Sequence, residues 1–246
     1  MSGISFSGPY QSWDLASSQS LGYDKEEILE KTLNTVLKVK SGELAYERDS
    51  VGFEKPSFNW PLLAALREEA LRSNSHLHVI DFGGSLGSAY FQHLSMLSLC
   101  NLKWNIIERK QIVDAGQRHL ADETLGFFES LELCDQLGKV NFILLSGVLQ
   151  YLREPEVVID SLLQLNANSI FIDKTIVNHS DTNHIYVQDV PPSIYEGSYP
   201  CRSFSENWLL ANFDPSYAKV ADFSSLSFPA LKSIKSKFKG YLLEKK

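Results

Sequence analysis

The sequence predicts an α/β chain built around a mostly parallel sheet. Two observations carry this. From His76 onward, short apolar runs alternate with helix-like stretches of about a dozen residues, the rhythm of right-handed βαβ units. The first of these runs, Leu77–Phe82, ends in a glycine cluster that leads into a helix, as a ligand-binding strand–turn–helix does. The 246 residues, 43% hydrophobic and 22% charged, are enough for an α/β domain with a cap and a sizeable core.

The elements follow in order. Met1 to Ser20 is rich in Ser, Gly and aromatics and shows no periodicity. Asp24, with Glu27 three residues on, reads as a capping box. Leu29, Leu33, Val36 and Leu37 then form one apolar stripe, and Ser41-Gly42 stops the helix. A second helix is expected from near Asn59 to about Arg72, with Pro61 in its first turn. Strands are expected at Leu77–Phe82, Leu102–Glu108, Leu125–Glu129, Val140–Leu145 and Ser169–Asp173, and helices at Ser88–Leu99, Lys110–Leu120 and Pro155–Leu165. After Asp173 the rhythm breaks. Lys174–Pro200, with Pro191, Pro192 and Pro200, reads as a loop whose His184, Tyr186, Tyr195 and Tyr199 line a pocket. Ser203 and Glu206 read as a capping box for a helix to Ala211. Tyr217–Phe223 and Phe238–Leu243 close the chain as an antiparallel pair. That makes seven strands, with residues 1–75 as a largely helical N-terminal cap and 76–246 as the sheet domain.

Composition excludes several classes. The charge is −7, from 23 basic and 30 acidic residues, which argues against a nucleic-acid partner. The basic residues that cluster, Lys232, Lys235, Lys237, Lys239, Lys245 and Lys246, alternate like the wet face of an edge strand. The three cysteines, Cys100, Cys134 and Cys201, have no zinc-like spacing, so no metal is expected, and a reduced cytoplasmic setting fits. No signal peptide is visible, and the apolar stretch Phe142–Leu152 is far short of the ~20 residues of a membrane span.

Three readings of Asp81-Phe82-Gly83-Gly84-Ser85-Leu86-Gly87-Ser88 compete. A dinucleotide fingerprint needs glycine at 85 and 88, where serines stand, and no Gly-Lys-Ser/Thr follows to make a P-loop. Gly83-Gly84-Ser85-Leu86-Gly87 matches a nucleophile elbow, with Asp173 and His184 following in hydrolase order, so a serine esterase using Ser85 stays open. Against it, helices precede this strand and no His-Gly-Gly run exists. The third reading is the S-adenosylmethionine (SAM) loop D-x-G-x-G-x-G, here Asp81, Gly83, Ser85 and Gly87, with Gly84 between. Glu108 then ends the next strand, where an acid accepts hydrogen bonds from ribose hydroxyls. Ser146 and Gly147 end the fourth strand, at the carboxyl edge where such sheets bind ligands.

These residues resemble a group of class I SAM-dependent methyltransferases found in bacterial surface-polysaccharide gene neighbourhoods. The resemblance covers nearly the whole chain. It rests on the runs Phe6–Trp13, Gly22–Asp24, Tyr46–Ser50, Asp81–Phe91, Trp104 with Ile106–Glu108, Leu145–Leu152, Ile172–Thr175, Val190–Tyr195 and Ser198–Pro200. Lys174 stands where the group has arginine, and Arg202 where it has an aromatic, which bears on the substrate rather than the cofactor. The resemblance implies a Rossmann-like class I methyltransferase fold, SAM as cofactor, and a small-molecule or saccharide-conjugate acceptor.

Methyl transfer is an in-line displacement, helped most by holding the reacting atoms close and aligned. A sugar hydroxyl is a poor nucleophile, so a general base helps, and His184 and Asp189 are the candidates. Tyr10, Trp13, Tyr195 and Tyr199 are candidates for stacking on a sugar, and Arg48 for holding a phosphate or carboxylate. The plainer alternative is that Tyr10, Trp13 and Arg48 pin the N-terminal segment. A SAM-binding module without chemistry stays open beside the esterase.

Overall fold

The computed structural model describes residues 3–22, 26–133, 138–191, 197–213, 215–225 and 229–246. The expected Asp24 cap, Cys134 and Tyr195 lie outside them. Packing divides the chain into two units. Residues 25–146 and 164–171 form one; residues 1–24, 147–163 and 172–246 form the other. The segment 1–75 is thus shared between them.

In the first of these units, a helix α2 (Glu26–Lys40) precedes a hairpin of β2 (Tyr46–Arg48) and β3 (Val51–Phe53). Helix α3 (Trp60–Arg72) begins where expected, because the Asn59 side chain accepts from the Leu62 N–H and Pro61 sits in the first turn. Three strands then pair in parallel on either side of β4 (His76–Phe82): β5 (Asn101–Ile107) and β7 (Phe142–Ser146) flank it, and β6 (Leu125–Phe128) lies beyond β5. Their near-continuous apolar sequences match burial on both faces, with Val79, Ile80, Trp104, Ile106, Phe142 and Ile143 fully enclosed. Helix α5 (Lys110–His119) covers β6 at Gly116, where a Cβ would sit 2.4 Å from the Phe127 ring. The expected helix Ser88–Leu99 is shorter. Helix α4 (Ser88–His93) gives way to a 3-10 turn at Leu94–Met96, where buried His93 bonds the Ala89 carbonyl and the Asn59 N–H.

Strand β8 (Ser169–Asn178) begins in this unit and continues into the other, extending well past the Asp173 that the sequence suggested. The second unit opens with β1 (Ser5–Tyr10) and α1 (Trp13–Ser18). Helix α6 (Pro155–Gln164) agrees with expectation. The stretch expected to be a pocket-lining loop is instead mostly strand. β9 (His184–Val190) pairs antiparallel with both β1 and β10 (Gly197–Ser205), and β10 meets the end of β8 in parallel. Buried Ile176, Tyr186, Cys201 and Leu231 fill its core.

The Ser203 cap is also corrected. Ser203 is inside β10, where its hydroxyl meets Asn178 and Ser236, and Ser205 caps helix α7 (Glu206–Ala211). The C-terminal pair forms as expected from β11 (Tyr217–Ser224) and β12 (Ser236–Lys245). β12 is not an edge, because β8 borders its other side, and Lys239 is drawn in against Glu206 at 2.5 Å. The described residues thus hold twelve strands rather than seven; β1, β2, β3, β9 and β10 are the additions. Among the described residues no helix is long and apolar enough to cross a membrane.

Candidate functional site

The glycine loop sits between β4 and α4. Gly83, Ser85 and Gly87 have φ of 73°, 52° and 87°, so each glycine position of the D-x-G-x-G-x-G pattern takes the left-handed conformation. Glycine reaches it without penalty and serine at a cost of roughly 1–2 kcal/mol. The Gly83 N–H donates to the Ile107 carbonyl at 2.9 Å, tying the loop to the end of β5. Asp81 is buried beneath the loop, and Trp104 Nε1 donates to its Oδ2 at 3.0 Å. A Cβ at Gly84 would lie 2.5–2.8 Å from the Asp81 carboxyl atoms, so this position must be glycine if the carboxylate is to lie there.

Glu108 follows β5, its N–H held by the Phe128 carbonyl at 3.0 Å. Its carboxylate accepts from the Arg109 N–H at 2.9 Å and from the Ser85 backbone N–H. Burial pushes the Glu108 carboxyl above the ordinary carboxylate range, while those two N–H groups and the Arg109 charge pull it back. The two acids of the expected pattern therefore meet the same loop, Asp81 at Gly84 and Glu108 at Ser85.

Sequence reasoning missed the support on the other side. Glu47, buried on β2, accepts from the Ser50 N–H at 2.6 Å and from the hydroxyl of Ser88, the first residue of α4. Ser50 in turn bonds Thr32 of α2 at 2.6 Å. The signal was the run Tyr46–Ser50, noticed without a role for its glutamate. Arg48 lies over the Phe53 ring at 5.4 Å, and Tyr46 stacks on Phe53 at 4.6 Å. Ser146 ends β7 in this unit.

In the other unit, Gly147 turns with φ 69°, and its N–H donates to the Asp173 carbonyl at 2.9 Å. Tyr151 and Tyr199 meet edge to face at 5.2 Å, and Gln188 links their hydroxyls, accepting from Tyr151 and donating to Tyr199 at 3.0 Å each. Trp13 begins α1 with Arg202 5.5 Å over its ring, and Arg202 also donates to the Arg153 carbonyl. Burial lowers the Arg202 pKa, with Glu156 opposing. Tyr10 ends β1, and its hydroxyl bonds Ser7 at 3.3 Å.

His184 and Asp189 are not brought together. They lie five residues apart on β9, which at ~3.3 Å per residue is roughly 16 Å, with side chains on opposite faces. The His184 ring bonds Ser180 at 3.0 Å rather than an acid, while Asp173 accepts from the Lys174 N–H and from Ser225. The acid–histidine link of the esterase reading is therefore absent among the described residues. No group of three or more His, Cys, Asp or Glu able to hold a metal occurs among them either.

No family model and no curated protein matches the chain. Solved structures do. The N-terminal domain of EvdMO1, crystallised in the presence of S-adenosylhomocysteine and D-fucose, is 14% identical, with 91% of this chain and 98% of that chain covered at a TM-score of 0.50. The same domain with S-adenosylhomocysteine bound gives the same values. The 1,6-didemethyltoxoflavin-N1-methyltransferase of Burkholderia thailandensis is also 14% identical, covering 92% of this chain and 91% of that one at a TM-score of 0.45. With the EvdMO1 domain as neighbour and the parallel strands around β4, the chain has the Rossmann-like fold of class I methyltransferases.

Proposed function

We propose that the chain is a SAM-dependent methyltransferase acting on a small hydroxylated acceptor, a saccharide or saccharide conjugate. The observation that carries the cofactor half is the loop itself. Left-handed backbone at positions 83, 85 and 87, between a buried Asp81 and a partly buried Glu108, supports the SAM reading, because glycines at such positions serve to supply that conformation. These residues fit the group. The loop backbone from Gly83 to Gly87 approaches it, Glu108 accepts from its ribose hydroxyls, and Asp81 acts as a positioning residue from beneath. Ser146 borders its methionine part. The cofactor supplies an electrophilic methyl group on a sulfonium sulfur.

This chain's own residues bind and orient. Holding the acceptor oxygen roughly 3–3.5 Å from the methyl and in line supplies most of the acceleration such a reaction needs. The saccharide acceptor is supported by hydroxyl- and amide-bearing side chains beside aromatic faces, the Tyr151–Gln188–Tyr199 array above all. Tyr10 extends the stacking surface, and His184 or Asp189 serves as base, each on its own side of β9. Trp13 is already engaged by Arg202, which favours a role in pinning α1.

The test is transfer of isotopic methyl from SAM to a panel of neutral and anionic saccharides. Label in a saccharide product, abolished in Glu108→Gln, is the expected result. Label only in protein or in free small acids overturns the acceptor assignment, and no transfer at all with SAM bound favours a binding module.

A further inference from the structure

We infer that Lys174 is an acceptor-binding residue whose ammonium holds a phosphate or carboxylate carried by the saccharide. The inference deepens the acceptor half of the proposed function and rests on it. Lys174 has φ 48°. Outside the glycine loop, the other non-glycine residues with positive φ, Asp49, Ser50, Asn74, Ser75, Asn166 and Lys235, fall between elements, whereas Lys174 falls inside a strand. It is also the one half-buried position in the ten residues of β8, all others being buried. A side chain persists in that conformation inside a strand only when its surroundings enforce it, and such sites cluster where ligands bind.

The enforcing contacts are explicit. The Lys174 N–H donates to Asp173 Oδ1 at 2.7 Å and to Ser225 Oγ at 3.2 Å, and its carbonyl accepts from Gln150 Nε2 at 3.0 Å. The preceding carbonyl, that of Asp173, takes the Gly147 N–H. Together they hold the backbone of Lys174 in this conformation. Its stem runs past Gly147, where a Cβ would lie 3.8 Å from Lys174 Cβ and 4.0 Å from Cδ.

The side chain that this turn presents is unpartnered. The Lys174 ammonium has no hydrogen-bond or ion-pair partner among the described residues, and the adjacent Asp173 directs Oδ1 to backbone and to the Ser225 hydroxyl instead. Gln150, 1% exposed, grips the Lys174 carbonyl with its Nε2, and its buried Oε1 has no donor among the described residues. Buried amide oxygens are rarely left so. An unpartnered ammonium point charge on a half-buried stem suits a ligand bearing an anionic group.

The experiment is competitive acetylation of the intact protein by an N-hydroxysuccinimide ester, followed peptide by peptide in a mass spectrometer. Glucose 1-phosphate and glucuronate at millimolar concentration are expected to slow acetylation of Lys174 at least threefold, and neutral glucose to leave it unchanged. Lys110 is the internal reference. Whichever of the two anions protects identifies phosphate or carboxylate. Equal rates with all three sugars, with and without S-adenosylhomocysteine, overturn the proposal. Protection by S-adenosylhomocysteine alone also overturns it, because the ammonium then serves the cofactor's carboxylate. Calorimetry of the same sample with S-adenosylhomocysteine keeps the two failures apart: cofactor binding without sugar protection sinks only the role of Lys174.

Discussion

Glu108 is tied to the glycine loop through the Ser85 N–H, and its environment makes a pH-dependent prediction. Burial raises its carboxyl pKa in the folded protein above the unfolded value. Between those two values the folded state binds more protons, so this group's contribution to stability falls as the pH rises through the window and is fully present below it. Under the proposed function ligand binding runs the other way, because the ribose hydroxyls would donate to the ionised carboxylate. Affinity for S-adenosylhomocysteine should weaken as the pH falls from neutral through the raised carboxyl range. Glu108→Gln should bind weakly and with little pH dependence over the same range; calorimetric titration at several pH values reads both. At this scale the sequence was legible in detail. The motif named positions 83, 85 and 87, and all three are left-handed, the non-glycine Ser85 included. The buried location of Asp81 beneath Gly84 was not legible, since a pattern of residue types does not say which carboxylate faces the ligand.

Among the elements, legibility followed locality. Helices α3 and α5 and strands β4 to β7 carry their period and caps within a dozen residues, and they appear within a few residues of expectation. Strands β9 and β10 do not. Pro191, Pro192 and Pro200 read as loop punctuation, yet their neighbours become strand by pairing with each other and, for β9, with β1, about 180 residues away in sequence. The β2–β3 hairpin was missed because three residues per strand hold too little alternation to see. The α5–β6 contact gives a direct test of packing. Gly116→Ala places a methyl 2.4 Å from the Phe127 ring, and overpacking of this kind costs about 1–3 kcal/mol. At about 2–4 °C per kcal/mol for a chain of this size, the melting temperature should drop by roughly 2–12 °C. An unchanged melting temperature would mean that α5 stands off β6.

For the whole molecule, the fold was readable because strand–helix alternation and one glycine loop constrain it jointly. The acceptor was not readable, because its candidates scatter. Trp13 is occupied by Arg202, His184 and Asp189 face opposite ways along β9, and Lys174 gains its interest only from a backbone conformation that no residue type announces. The esterase alternative loses its acid–histidine link, since His184 bonds Ser180. What remains central is the loop and its two acids. The most direct measurement is calorimetric titration of the intact chain with S-adenosylhomocysteine, beside Asp81→Asn and Glu108→Gln, with melting curves recorded for all three. The account predicts micromolar binding by the unaltered chain and at least a tenfold loss in a folded Glu108→Gln variant. A folded, unaltered chain that takes up no S-adenosylhomocysteine, or a Glu108→Gln variant that binds equally well, would contradict it.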